Sequence, residues 1–544
     1  YEVELSDAAG SFSAPTNIGT YTPGAIGLVT LTVTIPITTI PDPNYQIRVF
    51  GNGCISNSVT VSVTSCGSAV WIGNSTDWNT PGNWSTGVVP NSCFQDVTIP
   101  SGTPFMPTVS GADFQVGDIS VGAGVTITLQ GQNINVCGDW TGGTGTNAAT
   151  VGSGRVRMVG CSTQHIIGKT DFDRLLINNS AGVTNTGEVS ILNLLSLETG
   201  IFTNNGTITF LSTSDSHCAT LDHFSPGYTG TLSGTVIAQR FIPVTGSNQH
   251  YMSTPLQTTS LAQFGASGTS GFVIPTSNCD ETQLQSGSPY GSVFQYHEDQ
   301  GAGCSLGGWE VKTSGAADNG RGYSMYQNGG TFSLTGQAQL ANSITVPSLT
   351  NSGWASHTTL QGRPQSSGWN LVGNPFLAYL DLSTHSGFDN QVQVWMTNGP
   401  YTGTYQPLLM GSGTANIAPF QAFMVHRTSG SGSFVFDETE CTNTPSSTNF
   451  YKANDNELKV NVSGNGFSDK TLIAFNADAS NGFDPVFDAN KFHSKLGQPT
   501  LYTLAGTEHL AIDVLQSLTT TVAVPLSFEP GANGAFTFKF DNVS

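Results

Sequence analysis

The sequence predicts an all-β protein: tandem β-sandwich modules, immunoglobulin-like and jelly-roll-like, with a β-solenoid-like segment among them. Three observations lead there. Only 10% of the residues are charged while Gly alone contributes 65, and the bulk of Thr, Ser, Asn and Val favours strands, turns and glycine corners over helices. Apolar and polar residues alternate in short runs such as "LVTLTVTIP" and "SVTVSVTSC", the period of a strand with one buried face. Elsewhere, as in "GDISVGAGVTITLQGQNINVCGDW", strands follow one another at short intervals and imply stacked rungs, because a single rung cannot bury its apolar side chains alone. At 544 residues the chain is too long for one core, and about 100 to 200 residues per domain suggests three to five modules.

The first module, residues 1–66, reads as strands "YEVELSDA", "LVTLTVTIP", "NYQIRVFGNG" and "SVTVSVTSC" separated by turns, the pattern of an immunoglobulin-like sandwich. It starts directly on an alternating run, Tyr1, Val3 and Leu5, with no initiator Met and no charged-then-apolar leader. Its first strand is therefore expected to be missing. The edge beside Tyr1 to Ala8 would be filled by upstream sequence or by a strand of another copy. Residues 67–239 form the solenoid-like module, opening on a Trp-rich cap with Trp71, Trp78 and Trp84. Residues 240–442 form a β-sandwich module in which helix is confined to a short piece around Ser260 to Phe264, and residues 443–544 a further sandwich expected to lack its last strands.

Charge narrows the partners. With 36 acidic against 16 basic residues the net charge is -20, which repels nucleic acid and anionic membrane surfaces and makes polyanions poor partners. No run approaches the roughly 20 apolar residues that a spanning helix needs, so direct membrane insertion is not expected. The nine cysteines are scattered without C-x-x-C pairs, which points to an oxidising, extracellular setting rather than zinc. Local spacing favours Cys54 with Cys66 and Cys279 with Cys304, each closing a loop between neighbouring strands. An odd count leaves one cysteine free or paired outside the chain.

The sequence has no H-E-x-x-H, no G-x-S-x-G after a strand and no phosphate-cradling loop. A carboxylate pair across strands would serve a glycosidase, but acidic residues are sparse in the solenoid. In "DSHCATLDH", Asp215, His217, Cys218 and His223 are a donor set suited to zinc; the alternative is a polar linker with Cys218 in a disulfide. "QYHEDQ", with His297, Glu298 and Asp299, reads as a solvated turn. In "NADASNGFDPVFDANKF", Asp478, Asn481, Asp484 and Asp488 set hard oxygen ligands around a glycine turn, suiting a structural calcium ion, although Asx side chains also cap turns. No other cofactor is expected. Trp71, Trp78 and Trp84 either stack on sugars or cap the open end of the solenoid core, and capping is the better fit to a stacked fold. Trp369, Asn370, Asn374 and Pro375 in "GWNLVGNPF" read as a buried turn.

Several phrases resemble one family. The ordered strands of residues 1–66 resemble the immunoglobulin-like repeats of giant surface adhesins exported by type IX secretion. "W-x-G-x-S-x-D-W-x-x-x-G-N-W", followed by "VVP" and "VTIP", is similar to the cap of solenoid-like modules in the same secreted proteins, over about Val70 to Gln239. "GRGYSMY", "GWNLVGNPFLAYLDLS", "VQVWM" and "IAPFQAFMVH" resemble, in order, a β-sandwich module that precedes the sorting region of type IX substrates; "DNELKVNVSGNGFSDKTLIAFNADASNGFDPVFDANKF" and "PTLYTLAGTEHLAIDVLQSL" resemble the module after it. The resemblance implies a non-catalytic extracellular structural protein at the cell surface, an adhesin stalk or filament subunit assembled by strand complementation. Its partners would be other copies of itself, other surface proteins or surface glycans. The competing expectation is an accessory or carbohydrate-binding region of a larger secreted enzyme.

Overall fold

The computed structural model describes residues 1–22, 33–36, 42–51, 54–63, 68–145, 148–214, 216–242, 248–266, 293–298, 309–312, 315–327, 329–352, 368–399, 402–411, 416–443, 457–476, 479–484, 487–491, 498–516 and 521–541. It is almost entirely β, with 56% strand, 2% helix and a β-solenoid of about 5 turns. No helix among the described residues is long and apolar enough to cross a membrane. The alternating run at the start becomes the strand Glu2–Leu5, with Val3 and Leu5 buried. It pairs antiparallel with Thr16–Thr20 on one side and with Asp42–Gly51 on the other. The edge beside Tyr1 to Ala8, expected to be open to a strand from elsewhere, is thus filled from within the chain. Asp42–Gly51 returns to this edge from later in the chain, which the local alternation at Tyr1 to Ala8 does not signal.

The solenoid begins at Ala69–Val70, which lies parallel to Val97–Ile99. Its first rungs are tied by an aspartate at the same corner of each: Asp118 N donates to Asp96 Oδ1 at 2.9 Å, Asp139 N to Asp118 Oδ1 at 2.7 Å, and His165 N to Asp139 Oδ1 at 2.7 Å. Further on, Gln164–Ile167, Val183–Asn185 and Ile201–Asn204 stack in parallel on one wall. Lys169–Asn178, Glu188–Thr199 and Thr207–Phe210 stack on the other. Here the repeat is 19 residues, and buried Asn185 donates from Nδ2 to Asn204 Oδ1 of the next rung at 2.8 Å. A buried amide is tolerated because its neighbour in the stack satisfies it. The corner beside these amides holds Gly168, Gly187 and Gly206. A Cβ at Gly187 would strike the Gly168 carbonyl, and one at Gly206 the Gly187 carbonyl, so only glycine lets the rungs approach.

The stack does not end at residue 239. The strand Thr235–Ile242 adds in parallel to Thr207–Phe210 and, on its other edge, pairs antiparallel with Gly330–Ala338 from Thr235↔Gln337 to Ile242↔Gly330. One 11-stranded sheet therefore passes from solenoid to sandwich. One core accompanies it, from Ala69 and Trp71 through Phe172 and Phe210 to Phe332, Leu334 and Phe420. The helix Leu261–Ala266 covers the sandwich end, with Phe264 against Tyr323 and Phe332.

A second core, containing Phe376, Phe423, Phe434 and Phe436, fills the rest of that module. Next comes a 7-stranded sheet with Leu526–Glu529 and Thr537–Asp541 as its outermost strands. It joins the preceding module through Gln391 Nε2, which donates to the Asn490 carbonyl at 3.1 Å, and Asn490 Nδ2, which donates to Asp389 Oδ2 at 2.9 Å. Leu409 packs onto its buried Ala489, Ile512 and Val514.

Candidate functional site

The three tryptophans of the cap are buried, at 1%, 0% and 1% exposure for Trp71, Trp78 and Trp84. Their rings pack on one another, with centroids 5.0 Å apart for Trp71 and Trp84 and 4.6 Å for Trp78 and Trp84, and Trp78 rests on Phe114 at 5.4 Å. Trp71 Nε1 donates to the Phe105 carbonyl at 2.8 Å and Trp84 Nε1 to the Trp78 carbonyl at 2.9 Å. No ring face is left for a sugar. The cluster closes the core, as an unstacked first rung requires.

The histidine and cysteine donors of residues 215–223 do not converge; Asp215 lies outside the described residues. Cys218 is a buried free thiol, so the disulfide considered for it does not form. Its Sγ accepts from Arg240 Nη1 at 2.9 Å, while His217 Nε2 meets Asn193 Oδ1 at 2.6 Å. Burial lowers the pKa of both His217 and His223, against the pull of Asp173 and Asp222 respectively. Burial thus favours the neutral form of both imidazoles.

Two of the residues proposed for calcium, Asp488 and Asn481, accept backbone N–H groups. Asp488 is buried and accepts the Val514 N–H at 2.7 Å through Oδ1 and the Asp484 N–H at 2.7 Å through Oδ2. Asn481 Oδ1 accepts the Gln516 N–H at 3.1 Å, and Asp478 lies outside the described residues. Burial pushes the Asp488 carboxyl up to about 6. Among the described residues no three His, Cys, Asp or Glu side chains gather in a way that could hold a metal ion.

Cys66, Cys279 and Cys304 lie outside the described residues, as does the side chain of Cys54. A disulfide does form, between Cys93 and Cys137, 44 residues apart. Sequence reasoning missed it, although "DVTIP", "DISVG" and "DWTGG", which begin at Asp96, Asp118 and Asp139, carry the rung repeat that places the two cysteines at one corner. Glu298 is also a correction: it is not in a solvated turn but 1% exposed. Its carboxylate accepts Thr350 Oγ1 at 2.6 Å, Ser352 N and Oγ at 2.9 Å, and Gly368 N at 2.9 Å. His297 beside it is half-buried and Asp299 is outside the described residues. Trp369, Asn370, Asn374 and Pro375 are all buried, with Asn374 Nδ2 donating to the Ala378 carbonyl at 2.8 Å.

Among the described residues, one end strand of the C-terminal sheet combines an edge without a neighbour with exposed apolar side chains. Thr537–Asp541 pairs with Glu457–Gly464 through Val462↔Phe538 and Val460↔Phe540, and no described strand lies on its other side. Phe538 is 39% and Phe540 52% exposed, although Phe538 touches Phe528 of the opposite edge strand at 5.0 Å. On the other face Lys539 pairs with Asp541 at 2.7 Å. An apolar edge strand without a strand neighbour is a template for an added strand.

A family model described as a domain of unknown function (DUF8693) matches residues 386–544, a stretch that includes this edge strand and the Asp389–Asn490 junction. No curated protein and no solved structure matches the chain.

Proposed function

We propose that this chain is a non-catalytic structural protein of the cell surface, a stalk or filament subunit exported by type IX secretion. The observation that carries the reading is the 11-stranded sheet that runs from the solenoid strand Phe114–Val116 through Thr235–Ile242 to Gly330–Ala338, with one core beside it from Ala69 to Phe420, since a stack that hands its last strand to the next module resists bending and pulling at the joint. Strand complementation then belongs at Thr537–Asp541, where a strand of a second copy extends the sheet. Such a head-to-tail contact does not close on itself and yields filaments.

Negative-stain electron microscopy and sedimentation of the purified chain, with protease shaving of intact cells, test the reading. Surface-exposed protein that elongates into fibres is expected, with fibres lost on Phe538→Ser and Phe540→Ser. Protein retained inside shaved cells, or a strict monomer at every concentration, contradicts it.

A further inference from the structure

The solenoid carries four basic residues between 67 and 239: Arg155, Arg157, Lys169 and Arg174. Lys169 pairs with Glu188 at 3.1 Å and Arg157 approaches Glu198 at 3.8 Å. The side chains of Arg155 and Arg174 make no hydrogen bond or ion pair among the described residues, yet the two residues stand in register on adjacent parallel strands. Strands in a sheet lie about 4.8 Å apart, and like charges directly opposed are destabilising. A chain with net charge -20 has ample acid to neutralise the pair and does not do so there.

The local backbone makes room. Register slips between Val151 and Arg155 and again between Phe172 and Arg174, so the wall bends along a line crossing neighbouring rungs. Ser153 at φ 59° and Gly131 at φ 85° turn the chain on that line. The result is an open depression of about 410 Å³ lined by Asn133, Ser153, Arg155, Asp173 and Arg174 together with glycine backbone. Asn133 is anchored to Asp113 at 2.8 Å and Asp173 takes a hydrogen bond from Asn193. No aromatic or aliphatic side chain lines it.

We propose that this depression binds an acidic oligosaccharide, its uronate carboxylate clamped between Arg155 and Arg174. Two guanidinium forks lining one depression suit a carboxylate. Asp173 disfavours a bare inorganic anion but accepts sugar hydroxyls, and Asn133 and Ser153 add hydroxyl partners. The bend runs along the stack, so the ligand is elongated. The protein's overall negative charge does not forbid this, because screening at physiological salt limits each distant carboxylate to about 8 Å. The inference does not depend on the stalk reading.

Calorimetric titration of the full chain with oligogalacturonate and oligoguluronate, free and methyl-esterified, is the test. The free acids are expected to bind, more weakly as salt rises. Esterification, Arg155→Gln or Arg174→Gln should each weaken binding about tenfold or more, the scale of a lost charged hydrogen bond, and neither substitution should lower the melting temperature, since each relieves the opposition of like charges. Lys169→Gln, outside the depression, should bind as the native chain does. Failure of both acids to bind, equal binding of ester and acid, or undiminished binding by both folded Arg variants overturns the proposal. The ester comparison uses the native chain and so decides even if a variant misfolds.

Discussion

Between Ala69 and Ile242 the rung strands are hydrogen-bonded along the stack, and the last of them is completed by Gly330–Ala338. In the C-terminal sheet, Thr537–Asp541 is bonded on one side, and the phenylalanines it carries are partly in solvent. Both regions are β and both have buried cores. The difference is where the edge goes: one wall of the solenoid passes its edge strand, Thr235–Ile242, to a neighbour in the same chain, whereas the C-terminal sheet, among the described residues, ends on an apolar one. A substitution in the solenoid should therefore act on stability, and one at the open edge on association.

The largest effect is expected in the solenoid core. Phe172 is 0% exposed and packs on Trp140 at 5.0 Å, so Phe172→Ala should cost about 3–5 kcal/mol, read from the denaturation midpoint. Closing a 44-residue loop, the Cys93–Cys137 bridge should contribute about 4 kcal/mol through the unfolded state. Cys93→Ser checks this, and reduction of the native chain should have the same effect. Asn185→Ala removes one member of the rung-to-rung ladder, with its hydrogen bonds to Asn204 Oδ1 and the Thr207 carbonyl, at about 1–3 kcal/mol. At the open edge the ranking inverts, and Phe540→Ser should change stability by no more than about 0.5 kcal/mol while abolishing fibre growth.

Asp488 offers a pH-dependent comparison. Burial raises its native pKa to about 6, so between that value and the unfolded carboxylate's, near 4, the native state holds a proton that the unfolded state releases. Its contribution is present in full at the acid end of this window and is lost as pH rises through about 6. Asp488→Asn should flatten that part of the stability–pH curve, and an unchanged slope would show that the carboxyl is not shielded as described.

How legible these features were in the sequence follows from how far apart their partners lie. The rungs could be read because apolar spacing is local, and the short helix around Ser260 to Phe264 appears at Leu261–Ala266. The cap tryptophans were legible as a cluster, but only packing decided between capping and sugar binding. Glu298 was misread because its partners, from Thr350 to Gly368, stand 52 to 70 residues away. Nothing in "QYHEDQ" announces them. The Arg155–Arg174 pair escaped notice for a similar reason: only the register across two rungs brings the charges together.

The central claim is that solenoid and sandwich form one cooperative unit through Thr235–Ile242. Hydrogen exchange of the full chain tests it most directly, at the amides of 235–242 and 330–338. They are expected to exchange as slowly as those of Lys169–Asn178 in the solenoid interior and to be lost together with them as denaturant rises. Exchange at the joint that is faster than on both flanks, at denaturant concentrations where each flank is still protected, would show two modules loosely strung and would contradict the account.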